Sequence, residues 1–191
     1  STFRRIMSQA LAQNPGRQHP AANAACWAVS DEDRYARAAV ERMLREEPTK
    51  SGGGAYSNVW SFALAYDWLF HHPAFAVGEK RVVESKIVDR IRSELEELDG
   101  TGMALWHGRN QAANGLMIAA FAVSDHRDVK TLMPRIAAHW LEALKALQFS
   151  EGWPEGPSYW IYNRAEPYPL AADCFISATG GREELAGVLI R

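Results

Sequence analysis

The sequence predicts an all-α domain in which helices buried on every side alternate with helices that are apolar on one face only. Three observations carry this. Residues 79–98 place Val83, Ile87, Ile91, Leu95 and Leu98 at helical spacing with charges elsewhere, and residues 129–147 repeat the pattern with Val129, Leu132, Met133, Ile136, Trp140, Leu144 and Leu147. Residues 58–70, 112–123 and 168–178, and the shorter run 21–29, are instead apolar nearly all round, which calls for burial on all sides. The connections also come in two kinds. That alternation of inner and outer helices is what a two-layered helical toroid requires.

Taken in order, a buried run 21–29 precedes an amphipathic 31–46, and a buried 58–70 precedes the amphipathic 79–98. A buried 112–123 precedes the amphipathic 129–147, and a buried 168–178 precedes a last amphipathic start at Arg182. From inner to outer helix the links are short and polar: Ser30-Asp31, His71-His72-Pro73, Ser124 to Arg127 and Thr179-Gly180-Gly181. These read as capped turns, with His71, His72 and His126 as solvated turn residues. From outer to inner helix the links are long and rich in glycine and aromatics: Pro48 to Ser57, Asp99 to Asn110, and Glu151 to Asn163. In an antiparallel double layer the long links emerge at one end, where a helical scaffold carries its function.

Composition narrows the classes. The 191 residues are 47% hydrophobic, enough for one domain with a full core. No apolar run approaches the ~20 residues of a membrane span, so membrane insertion is not expected. Acidic and basic side chains are interspersed at a net charge of −2, which leaves no basic footprint for nucleic acid. Cys26 and Cys174 each lie inside an apolar helical run, favouring buried free thiols over a disulfide. No His or Cys pair has metal-ligand spacing within a plausible constellation, His19 and His139 show no partner signal, and no cofactor is expected. Ser51 to Gly54 lacks both the Gly-Lys-Ser/Thr ending and the preceding strand of a phosphate loop, and reads as a lid or linker.

The segment Glu151-Gly152-Trp153-Pro154-Glu155-Gly156-Pro157-Ser158-Tyr159-Trp160-Ile161-Tyr162-Asn163 carries the most chemical information. Its Gly and Pro residues block helix continuation, so Tyr159, Trp160 and Tyr162 cannot all be hidden on one continuing helix face. Aromatics on such a loop meet ligands.

Three segments together resemble the helical domain of the heparinase II/III-like polysaccharide lyases, a group that includes oligoalginate lyases. Phe62-Ala63-Leu64-Ala65-Tyr66-Asp67-Trp68-Leu69 resembles the family's apolar helix ending in Tyr-Asp-Trp-Leu, and Trp106 to Ala120 resembles its Asn-containing inner helix. Glu155-Gly156-Pro157-Ser158-Tyr159-Trp160-Ile161-Tyr162 resembles its Glu-Gly-Pro-x-Tyr-x-x-Tyr loop. The resemblance spans roughly residues 20–185. It implies an incomplete α/α toroid, normally followed by a β-sandwich domain for which this chain is too short. The chain also begins at Ser1 without Met, so a single toroid domain, residues 1–191, excised from a longer protein is expected. The expected location is periplasmic or secreted, with the cytoplasm as the alternative because no signal peptide is visible.

The implied reaction is β-elimination on an acidic, uronate-containing glycan. The C5 proton becomes removable once the uronate carboxylate is neutralised, and the C4 oxygen needs a proton, so the site needs donors, a base and an acid. Asn110, Gln111, His107 and Arg109 can supply the donors, and Tyr159 or Tyr162 the acid or base. A tyrosine with a reference pKa of ~10 needs a cationic neighbour to act as a base, for which Arg109 and Arg164 are candidates. The catalytic set is therefore Tyr162, Tyr159, Asn110 and His107. Gln111, Arg109, Trp106, Trp160, Arg164, Tyr56, Trp60 and Glu155 form the substrate-binding set. Many relatives have Asn-His where this chain has Asn110-Gln111, and Gln111 cannot shuttle a proton. His107 precedes Gln111 by one helical turn and can replace the missing His only if the inner helix already begins there.

Two other readings stand beside this one. A glycoside hydrolase would use Glu151 and Glu155 as its carboxylate pair, though both lie in one short loop instead of flanking a cleft. A noncatalytic glycan-binding toroid would keep the aromatics and tolerate Gln111. Asp67, Trp68 and Tyr66 read as structural, and Glu155 as an acceptor for backbone amides in its turn.

Overall fold

The computed structural model describes residues 12, 14, 15, 18–48, 58–100, 107–148 and 167–180, without the side chains of 107, 143, 146–148 and 167–169. The described residues form seven helices and no strand: α1 (Pro20–Ser30), α2 (Asp33–Arg45), α3 (Val59–Trp68), α4 (Val77–Asp99), α5 (His107–Ala122), α6 (Arg127–Gln148) and α7 (Pro167–Thr179).

Local chemistry sets several ends. Pro20 opens α1, where its missing N–H would have no helical acceptor anyway. The next free amide, that of Ala21, donates to Ser61 Oγ of α3 at 3.1 Å. Asp31 then ends α1 in a left-handed conformation (φ 57°), its N–H donating to the Trp27 carbonyl at 2.7 Å, a geometry that Asp tolerates better than most non-glycine residues. Lys86 of α4 donates to the carbonyls of Met43, Leu44 and Glu46 at 3.3, 2.7 and 2.8 Å, a cation placed at the end of α2. Glu79 closes the start of α4 by accepting the Ala76 N–H at 2.8 Å.

Two rows of helices result. In one, α1 packs on α3, α3 on α5 and α5 on α7; in the other, α2 packs on α1, α4 on α3 and α5, and α6 on α5 and α4. Burial follows the apolar patterns. Seven of the ten residues of α3 are buried against seven of the 23 of α4, so the shorter helix is the enclosed one, as its all-round apolar sequence predicts. The core runs through Tyr35, Met43, Phe62, Phe75, Ile87, Ile91, Leu116, Met117, Ile118 and Trp140.

The expectation of all-round burial holds for α5 and for α3 as far as Tyr66, but Asp67, Trp68 and Phe70 at the end of the 58–70 run are exposed, so Trp68 is not the core residue its apolar run suggests, and the expectation fails for the end helices too. In α1, Ala22, Ala28 and Val29 are exposed, and in α7 so are Asp173 and residues 177–179. Among the described residues each stands at an end of its row: α1 is covered by α2 and α3, and α7 by α5. The short links also differ from the expectation of solvated turns at one histidine. His72 is buried, its Nδ1 accepts the Ala74 N–H at 3.1 Å, and its Nε2 faces Asp33 Oδ1 at 3.3 Å, with Trp27 packed edge-on to its ring. His71 is exposed, and His126 Nδ1 accepts the Asp128 N–H at 3.3 Å at the head of α6. Both cysteines are free thiols, Cys26 buried and Cys174 half-buried.

One polar pair holds α5 to α6. Asn114 Nδ2 donates to the Asn110 carbonyl at 2.8 Å while its Oδ1 accepts the Trp140 indole N–H at 2.8 Å. Removing the indole in Trp140→Ala should cost roughly 3–5 kcal/mol of stability. Asn114→Leu should cost roughly 1–3 kcal/mol by stranding the buried indole N–H, and less in a Trp140→Phe background, where there is no N–H to strand. Urea unfolding of the full chain measures all three.

Candidate functional site

The start of α5 gathers four of the predicted site residues, His107, Arg109, Asn110 and Gln111, within five positions. The helix begins at His107, so His107 does stand one turn before Gln111, its side chain lying outside the described residues. Gly108, Arg109 and Asn110 are buried and Gln111 is half-buried. Trp60, at the head of α3, is half-buried beside α5, its Cδ1 3.8 Å from where a Cβ on Gly115 would stand.

Arg109 differs from its predicted part as an open substrate donor. Only 4% exposed, it turns toward α6, where Nη2 donates to Glu142 Oε2 at 2.8 Å and to His139 Nδ1 at 2.8 Å. Its Nε and Nη1 find no hydrogen-bond partner. The physical reason is reach: the helix start packs against α6, where a carboxylate and an imidazole meet the guanidinium fork. Asn110 is 2% exposed, so its amide too is enclosed.

His139 is the residue the sequence reading missed. A guanidinium only donates, so His139 Nδ1 must carry the lone pair. The ring proton then sits on Nε2 and donates to Asp99 Oδ1 at 2.8 Å. Arg135 pairs with the same Asp99 carboxylate. The hydrogen bond from His139, followed by the hydrogen bond and charge of Arg135, holds the Asp99 carboxyl below its usual range. A chain Asp99–His139–Arg109–Glu142 thus ties the end of α4, the start of α5 and the middle of α6. The legible signal was the spacing of Arg135, His139 and Glu142, which puts three polar groups on one face of a helix whose other face is apolar.

Tyr56, Trp106, Glu151, Glu155, Tyr159, Trp160, Tyr162 and Arg164 lie outside the described residues. Tyr66, in the first of the family-like segments, is 5% exposed and its phenol is pushed up to about 12, by burial first and the Glu84 charge second, which suits the structural part read for it. Among the described residues no group of three His, Cys, Asp or Glu side chains could hold a metal ion, and no helix is long and apolar enough to cross a membrane. Compared with models of protein families, with curated proteins and with solved structures, the chain matches none.

The Asp99 cluster gives a pH signature. A carboxyl depressed in the folded state adds stability that is fully present above its unfolded pKa of about 3.9 and is lost as pH falls through the folded value. Asp99→Asn should lower the melting temperature at neutral pH and make its fall below about pH 4 shallower. Because Asp99 is partly exposed, the effect is small, and thermal unfolding across the acid range measures it.

Proposed function

We propose that the chain is the helical part of a polysaccharide lyase that cleaves an acidic, uronate-containing glycan by β-elimination. The two rows are then successive parts of an incomplete α/α toroid, with α1, α3, α5 and α7 inside and α2, α4 and α6 outside. The observation that carries the reading is the start of α5 at His107. It gives His107 and Gln111 the i, i+4 relation that lets a histidine one turn earlier take over the proton-handling part for which glutamine is unfit. The family-like Glu155 to Tyr162 loop supplies the tyrosines, Tyr162 first and Tyr159 in reserve, and at the α5 start the half-buried Gln111 supplies a donor for the uronate carboxylate. A periplasmic or secreted location accompanies this reading.

A second reading, a noncatalytic glycan-binding toroid, draws on a specific observation. Arg109 and Asn110 are 4% and 2% exposed, and Gln111 stands where many relatives carry histidine, so the start of α5 would serve structure while the loop aromatics hold the sugar.

Ultraviolet-monitored turnover separates the two, since only elimination creates the absorbing unsaturated uronate. The assay uses this chain, and any longer reading frame that contains it, on alginate, heparin-like and chondroitin-like polymers. Tyr162→Phe should abolish elimination and leave glycan binding within a few-fold, because the ring surface that stacks on sugar remains. Asn110→Ala should slow turnover by about 3–4 kcal/mol in the transition state if the amide serves as an oxyanion-type donor. Silence on every acidic polymer together with measurable binding would establish the noncatalytic reading instead.

A further inference from the structure

Helix α6 fastens the start of α5 through one imidazole. His139 Nδ1 accepts from Arg109 Nη2 at 2.8 Å while His139 Nε2 donates to Asp99 Oδ1 at 2.8 Å, so both ring nitrogens are committed and the other neutral tautomer keeps neither bond. A second ring proton must go to Nδ1. There it sets the N–H of a cationic ring against a guanidinium N–H, two donors and two positive charges in line. Arg109 has little else to hold it. Its side chain is 4% exposed, its Nε and Nη1 have no hydrogen-bond partner, and its remaining acceptor, Glu142, is 58% exposed, so solvent screens that pair. Arg109 also stands in the first turn of α5, where the helix dipole disfavours a cation.

We propose that this contact is a proton-operated latch: neutral His139 holds Arg109 against α6, and protonated His139 releases it, loosening the turn that carries Asn110 and Gln111. Charge balance favours two states. Among the described residues the charged groups bonded to the ring or to its partners are Asp99 from α4, Arg109 from α5, and Arg135 and Glu142 from α6. Helix α7 meets α6 through Phe175 against Trp140 and adds no charge to this set. With the ring neutral, Arg109 and Arg135 balance Asp99 and Glu142. With the ring charged and Arg109 gone, His139 and Arg135 balance the same two carboxylates. Only a cluster holding both the charged ring and Arg109 carries an uncompensated cation, and that is the state the latch avoids. The ring is 15% exposed, so the proton has a way in. Histidine is the side chain that ordinarily changes charge between about pH 5 and 8. A bearing of the latch on glycan turnover rests on the lyase reading, whereas the release does not, and the release is what the experiment measures.

Nitrogen-15 magnetic resonance of the full chain between about pH 8 and 5 tests the latch. This window lies above the ordinary carboxylate range of about 4, and Asp99 is held below its own usual value. At the alkaline end the His139 ring should carry its proton on Nε2 alone, and Arg109 should give the separate, slowly exchanging guanidinium signals of a buried side chain. As the ring takes its second proton those signals should be lost, with one midpoint for both changes. In His139→Gln the amide can accept from Arg109 and donate to Asp99 without titrating, so the guanidinium signals should persist to the acid end. Arg109→Met should let the ring take its proton at a higher pH than in the wild-type chain, because coupling between two events is reciprocal. A ring proton on Nδ1 at the alkaline end, a ring that stays neutral throughout, Arg109 signals that outlast ring protonation, or the same acid release in His139→Gln would each overturn the proposal. The first three are read in the wild-type chain and do not depend on whether a variant folds.

Discussion

Helix α5 has no water beside it from Ala112 to Ala120, and the rest of the structure is arranged around that fact. A helix enclosed by α3, α4, α6 and α7 must let its neighbours come close and must satisfy every polar group it carries. Ala112, Ala113, Gly115, Ala119 and Ala120 provide the first condition, since small side chains permit close approach of the flanking helices. Asn114 provides the second by spending its amide on the Asn110 carbonyl and the Trp140 indole. Trp140 is itself fully buried and packs on Phe175 of α7 with ring centroids 5.3 Å apart. One buried amide therefore fixes how α6 sits on α5, and through Trp140 it also locates α7.

The same logic explains the polar chain at the start of α5. Arg109 cannot be deprotonated, so burying it requires anionic or lone-pair partners. Glu142 supplies charge and His139 a lone pair, and Asp99 and Arg135 hold the imidazole in the tautomer that Arg109 needs. The arrangement rigidifies the turn that carries Asn110 and Gln111. Side chains locked by their neighbours are what a precise site requires, so a structural part for Arg109 is compatible with a functional part for the residues after it.

What the sequence made legible was what periodicity encodes. The all-round apolar runs of α3 and α5 and the one-faced patterns of α4 and α6 were readable because burial acts on every turn of a helix. Long-range side-chain pairing was not readable. His139 and Asp99 are 40 residues apart, and nothing local to either betrays the other. His72 misled in the same way: between turn residues it reads as solvated, but Asp33 and Trp27 enclose it from other helices. The exposed faces of α1 and α7 were missed because an apolar run does not say how many neighbours the fold will place beside it. The aromatic loop that carries most of the functional reading, Glu155 to Tyr162, lies outside the described residues, so its tyrosines rest on sequence alone.

The direction of the two central helices gives this part of the molecule a polarity of its own. Helices α3 and α5 pack on each other, and one groove is lined by Asp67 and Trp68 at the end of α3 and by Phe121 and Ala122 at the end of α5, so these two helices run the same way and their dipoles add instead of cancelling. Arg109 stands at the positive end of α5, where the dipole opposes a cation. The Glu142 carboxylate and the His139 lone pair therefore offset two costs at once, the burial of the guanidinium and its place on the dipole, and this is why the polar chain to α6 and α4 is built at that turn and not elsewhere along the helix.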